Sequence, residues 1–171
     1  MLGLLPNPLH PALVHLPIAL IVLLPFFVAG SFFAIRRGTR PLIAWGITTA
    51  LLATLSISAF AALQTGKSQG EKVERAIGEQ VVETHEEVAE TFLILSCVVL
   101  GVAGFGFLKG TPGQLARGAA AVGVAALLGV GIRVGHTGGQ LVYKHNAAAA
   151  LGTVDTTGSA TGEESGEKGG R

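Results

Sequence analysis

An all-α fold, a four-helix transmembrane bundle with a short periplasmic amphipathic helix, is the class this sequence predicts, on three observations. Of 171 residues, 49% are hydrophobic and only 13% are charged, about half the ~25% charge usual in soluble domains, and mean hydropathy is +0.57. Four stretches, 12–35, 42–63, 88–108 and 115–132, carry no charge near their middles and match the ~20 apolar residues needed to cross hydrocarbon as a helix. A soluble protein with four fully buried helices would need polar helices to cover them, and the chain offers none. One bundle domain over 1–150 and one polar tail over 151–171 account for the whole length.

The first span opens at His10-Pro11, since a proline at the first helical turn loses no hydrogen bond. Pro17 and Pro25 fall inside that span and are expected to kink it, because each lacks the N–H its turn requires. Pro41 opens the second span as Pro11 opens the first. The run Glu71-Lys72-Val73-Glu74-Arg75-Ala76-Ile77-Gly78-Glu79-Gln80-Val81-Val82-Glu83 sets Val73, Ile77 and Val81 at helical spacing against glutamates, which predicts a separate short helix lying on the membrane surface. At the end of the fourth span Gly131, Gly135 and Gly139 recur every fourth residue. Such a strip admits a second helix at close range, or a flat macrocycle against the backbone. From Thr153 onward the residues are small, polar and aperiodic, the composition of a disordered tail.

Arginine and lysine set the orientation. Arg36, Arg37 and Arg40 lie between spans one and two, Lys109 and Arg117 flank the turn between spans three and four, and none of the eleven acidic residues joins them. Short basic loops stay in the cytoplasm, so both termini and 64–87 are expected on the periplasmic side of a bacterial cytoplasmic membrane. No basic residue precedes the first apolar run, a pattern suited to an uncleaved first helix rather than a signal peptide.

That orientation gathers all five histidines, His10, His15, His85, His136 and His145, at or near span ends on one side. A single histidine there is most often an interfacial side chain with an apolar body and a polar tip. Five on one face and none on the other point instead to a metal or redox centre, because neutral imidazole binds borderline metals and haem iron near neutral pH. His10 and His15, five apart, diverge by about 140° on a helix, awkward for one small ion. Zinc patterns that set two histidines on one helix face are missing. Each histidine therefore pairs best with one from another helix, the geometry of bis-histidine haem b, with copper or zinc as the alternative. Thioether-linked haem is excluded, since Cys97 is the sole cysteine, and Cys97 itself reads as a small core residue.

The run Asn7-Pro8-Leu9-His10-Pro11-Ala12-Leu13-Val14-His15-Leu16-Pro17, His85 before the third span, and Gly138-Gly139-Gln140-Leu141-Val142-Tyr143-Lys144-His145 resemble a bacterial membrane family, domain of unknown function 2231, over about residues 5–150. The resemblance implies four helices and a histidine-bearing outer face. It features the positions of His10, His15, His85 and His145, while that of His136 varies. Leu16 stands where the opening motif often has Phe, and Asn146 where Gly often follows the last histidine.

Glu86, Glu87 and Glu90 at the start of span three, and Arg133 at the end of span four, sit near the same depth. Ionisable residues in a span are functional candidates, although an Arg133–Glu90 ion pair is the simpler reading. In a haem site Arg133, Tyr143 or Lys144 would hold a propionate, and the glutamates would accept imidazole N–H bonds. The expected function is electron transfer through haem b, with a structural or anchoring subunit of a larger membrane complex as the alternative. Seven glutamates between Glu71 and Glu90, against Lys72 and Arg75, would suit a basic periplasmic cytochrome as partner, and quinone is the lipid-phase counterpart. With no nucleotide loop, nucleophile triad or nucleic-acid patch, stand-alone hydrolase and kinase activity and nucleic-acid binding are not expected.

Overall fold

A computed structural model describes residues 10–144. These form α1 (His10–Leu13), α2 (His15–Arg36), α3 (Pro41–Ile77), α4 (Glu79–Phe105) and α5 (Thr111–Tyr143), and no strand occurs among the described residues. His145 and the tail expected over 151–171 lie outside them. The helices α2 to α5 are each long and apolar enough to cross a membrane. They run antiparallel in a ring, each packed on the next, with α5 closing back on α2.

Proline shapes the start. Val14 N bonds to His10 O and Ile18 N to Val14 O, both at 3.2 Å, so α1 and α2 form one helical path with a break at Val14. The break falls where Pro17 has no N–H to offer the carbonyl four residues earlier. Pro25 lies inside α2 without ending it. Proline also begins α3 and stands in the first turn of α5.

The separate surface helix expected over 71–83 is not present. Helix α3 runs 37 residues to Ile77 and α4 starts at Glu79, so the amphipathic segment is shared between two long helices. No proline or glycine pair interrupts 42–77, and the single turn is Gly78, at φ 97°, a conformation that side chains with a Cβ resist. At ~1.5 Å per residue α3 spans about 55 Å, well beyond a ~30 Å hydrocarbon core. The α3–α4 hairpin therefore carries its charged tip past the apolar zone, while α2–α3 and α4–α5 turn at Gly38 and Gly110, φ 94° and 73°, at the opposite end.

The packing is that of a protein in lipid. Trp45, Leu24, Leu52, Leu55 and Leu127 are fully buried, while Phe26, Leu42, Ile57, Leu115 and Val122 are about 70% exposed. Lipid tails are as apolar as leucine, so these outward faces gain nothing by burial, and close packing plus hydrogen bonds must hold the ring. Ser31 Oγ donates to Ala44 O at 2.7 Å and meets Thr48 Oγ1 at 2.7 Å, tying α2 to α3. Trp45 Nε1 and Arg117 Nη1 donate to Ala103 O and Gly106 O, at 2.9 and 2.6 Å. These are carbonyls at the α4 C-terminus: Ala103 O also accepts from Gly106 N at 2.9 Å, while Gly106 O lies past the last turn, where a cation is suited. Arg117, which the sequence marks only as a loop charge, is buried for this purpose.

The two hairpins follow one plan. Gly38-Thr39 and Thr65-Gly66 in the first are separated by the same interval as Gly110-Thr111 and Thr137-Gly138 in the second. In that register Trp45, Thr48, Leu52 and Leu55 correspond to Arg117, Ala120, Val124 and Leu127, all buried. Aligned on His10 and His85, buried Pro17, Ile21, Leu24 and Val28 of α2 correspond to buried Phe92, Ser96, Val99 and Ala103 of α4. The bundle thus pairs two similar halves, each with a histidine at the same end.

Candidate functional site

His10 and His85 are held in the same way on opposite halves. The His10 Nδ1 bonds to Ala62 O at 2.8 Å, with Thr65 Oγ1 at 3.4 Å. The His85 Nδ1 lies 2.8 Å from Thr137 Oγ1. Each ring rests on the glycine after that threonine: a Cβ at Gly66 would stand 3.1 Å from His10 Cε1, and one at Gly138 would stand 3.1 Å from His85 Cε1. Only a bare backbone lets an imidazole sit so close.

The contact to a carbonyl fixes the proton on the His10 ring, and the contact to a hydroxyl is compatible with the same tautomer at His85. A carbonyl can only accept, so His10 Nδ1 must donate to Ala62. Thr137 Oγ1 has Val134 O as an acceptor of its own at 3.1 Å, an arrangement in which it can accept from His85 Nδ1. In that arrangement both rings are Nδ1–H tautomers whose Nε2 carries the lone pair, and neither Nε2 has a partner among the described residues. His10 is near enough for its charge to bear on the His85 ring. The site is a pair of half-buried imidazoles, each oriented by its own helix hairpin, with neither Nε2 partnered among the described residues.

The remaining candidates are placed differently. His15, beyond the break at Val14, is exposed. His136 is exposed and engaged by its own helix, Gln140 Nε2 to His136 Nε2 at 2.7 Å. Arg133, Tyr143 and Lys144 are exposed, Tyr143 by 90%. His145 falls outside the described residues. Cys97 is exposed on α4 rather than packed in the core, because its side chain falls on the outward face of that helix.

Three expectations about neighbours are corrected. Glu90 pairs with Lys67 across the α3–α4 hairpin, not with Arg133, because Lys67 on α3 faces it directly and Arg133 points outward. The imidazole N–H groups bond to a backbone carbonyl and a threonine in place of glutamates, while Glu86 Oε1 instead lies close to Gly70. In the glycine strip Gly135 and Gly139 face open space, and only Gly131 approaches other helices, at Phe92 and Ile21. The close approach to an imidazole is made by Gly138, one residue off the strip. Among the described residues no group of three His, Cys, Asp or Glu side chains is set to hold a metal ion.

A family model described as a predicted membrane protein, domain of unknown function 2231, matches residues 6–151. The chain belongs to this family. No curated protein and no solved structure matches it. The matched segment takes in all five histidines and both hairpins, so membership and the four-helix architecture agree over the same stretch. Sequence reasoning missed Thr65, Gly66, Thr137 and Gly138 as the seats of the two rings. The signal was the Thr-Gly pair recurring at equal distance from Gly38-Thr39 and Gly110-Thr111.

Proposed function

We propose that this member of the family binds haem b between His10 and His85 and passes single electrons at that end of the bundle. The observation that supports this reading is the matched pair of imidazoles, each with Nδ1–H committed to its own hairpin and Nε2 left as the lone-pair nitrogen. A metal-ligating histidine almost always donates its other N–H in this way, which fixes the tautomer and raises ligand basicity. Two imidazoles with no third protein ligand beside them among the described residues suit an iron whose other positions are filled by a macrocycle. A structural zinc would ask for four protein ligands.

With every described histidine at one end and none at the other, the centre would exchange electrons with a partner on its own side of the membrane. The basic loops at the opposite end support the reading that this side lies outside the cytoplasm of a bacterial inner membrane. Exposed Glu83 and Glu87 near the α3–α4 tip would steer a basic soluble cytochrome, and quinone would reach the site through the lipid.

The optical spectrum of the purified protein tests the reading. A Soret band that disappears in His10→Ala and in His85→Ala, and persists in His136→Ala, is the expected result. A protein that stays colourless on titration with haem, or that keeps its Soret band in both His10→Ala and His85→Ala, overturns it. Stoichiometric copper or zinc in the colourless protein would assign the pair to a non-haem ion.

A further inference from the structure

A polar stripe climbs the outward face of α5, separate from the histidine pair. Arg133, His136, Gln140 and Lys144 follow one another at steps of three, four and four residues. At ~100° per residue this keeps all four within an arc of about 80°. Arg133, His136 and Lys144 are exposed and Gln140 is half-buried, with exposed Ile132 and Tyr143 along one flank. Gly138, the seat of the His85 ring, lies on the far side of the helix from this stripe. Further along the same outward face come Val122 and Leu115, both about 70% exposed, so the polar groups crown an apolar, lipid-facing surface.

Neither the Arg133 nor the Lys144 side chain has an ion-pair or hydrogen-bond partner among the described residues. An unpaired guanidinium on the lipid-facing side of a span is costly, and such residues normally find an opposite charge. Arg133 lies five residues below Gly138, about 7.5 Å along the axis, a distance an arginine stem covers by snorkelling toward the interface. The hydrogen bond from Gln140 to His136 leaves the second Gln140 N–H and the His136 Nδ1–H as outward donors. Every group in the stripe can therefore offer a proton, and none is a carboxylate. A two-fold contact between copies through this face would set Arg133 near its own equivalent, like charge on like, so a second copy is a poor occupant.

We propose that this stripe binds the phosphate of an anionic phospholipid in the leaflet on the histidine side. Arg133 forks onto two phosphate oxygens, a match that guanidinium geometry favours. His136 and Gln140 donate to the same headgroup, and Lys144 adds charge one and a half turns above Arg133's reach. This assignment does not depend on the haem reading.

The test is the thermal midpoint of the detergent-solubilised full chain with phosphatidylglycerol, with phosphatidylcholine at the same mole fraction, or with inorganic phosphate. Phosphatidylglycerol is expected to raise the midpoint by about 5 °C through preferential binding to the folded state, with little effect from the other two. Arg133→Gln should remove that rise and Ile132→Ala should keep it. Should Arg133→Gln fail to fold, His136→Ala and Lys144→Gln at exposed positions carry the same comparison, each reducing the rise. Equal stabilisation by phosphatidylcholine, or a rise undiminished in these variants, overturns the proposal. A rise given equally by inorganic phosphate reassigns the stripe to a free anion, and a dimer cross-linked through α5 assigns it to a second copy; either outcome rejects the lipid.

Discussion

The His85 Nδ1 lies 2.8 Å from Thr137 Oγ1, and that hydroxyl lies 3.1 Å from Val134 O on its own helix. A threonine with an acceptor on its own helix is thereby set to accept from Nδ1–H of an imidazole on a neighbouring helix. His10 reaches the same state by donating to Ala62 O, so two unrelated acceptors suit one tautomer in both rings.

Thr137→Val keeps the side-chain shape and removes the acceptor. The His85 N–H is then unpaired and the ring is free to turn or to exchange tautomer. If the pair holds haem as proposed, haem affinity should fall on the order of tenfold, the lower end for loss of such an orienting bond, while Thr137→Ser restores it. A haem titration of the three proteins measures this, and unchanged affinity in Thr137→Val would show that the contact does not orient a ligand.

Gly66→Ala and Gly138→Ala each set a methyl 3.1 Å from an imidazole carbon, so the ring must yield by a few tenths of an ångström. Each variant should fold as a helical membrane protein yet shift or weaken the absorbance of the centre. Gly135→Ala, which meets open space, should leave both helicity and absorbance unchanged. Circular dichroism and the optical spectrum together separate the two classes.

Arg117→Ala leaves the Gly106 carbonyl without its donor and opens space beside Trp45. The loss should be about 1–3 kcal/mol, the cost of stranding a buried hydrogen-bonding group. Trp45→Phe removes the Ala103 bond and, because Trp45 is fully buried, also leaves a cavity, so its cost should be at least as large. Midpoints of thermal unfolding in detergent give the order, and a stable Arg117→Ala would mean that water or lipid caps α4 instead.

A reporter active only in the cytoplasm should stay silent when fused after Arg171 and become active when inserted at Gly38 or Gly110. The basic turns at those glycines set this expectation. Activity after Arg171 would invert the molecule and place the histidine end inside.

How the molecule is arranged was partly legible in the chain itself. Hydropathy is a sum over some twenty neighbouring residues, so the four spans, their order and the gathering of His10, His15, His85 and His136 at one end follow from local sequence. The family resemblance rested on short motifs of the same local kind. Continuity of helix through 64–77 was not visible from that sum, because glutamates lower hydropathy without breaking a helix, and only Gly78 supplies a turn. Lys67 as the partner of Glu90, Arg117 as a buried cap and Gly138 as the seat of His85 were decided by tertiary structure alone. Each depends on how far one helix is rotated about its axis against the next. That rotation is set by interlocking side chains and by gaps where a Cβ is missing, quantities that belong to pairs of helices and are written in neither sequence segment alone.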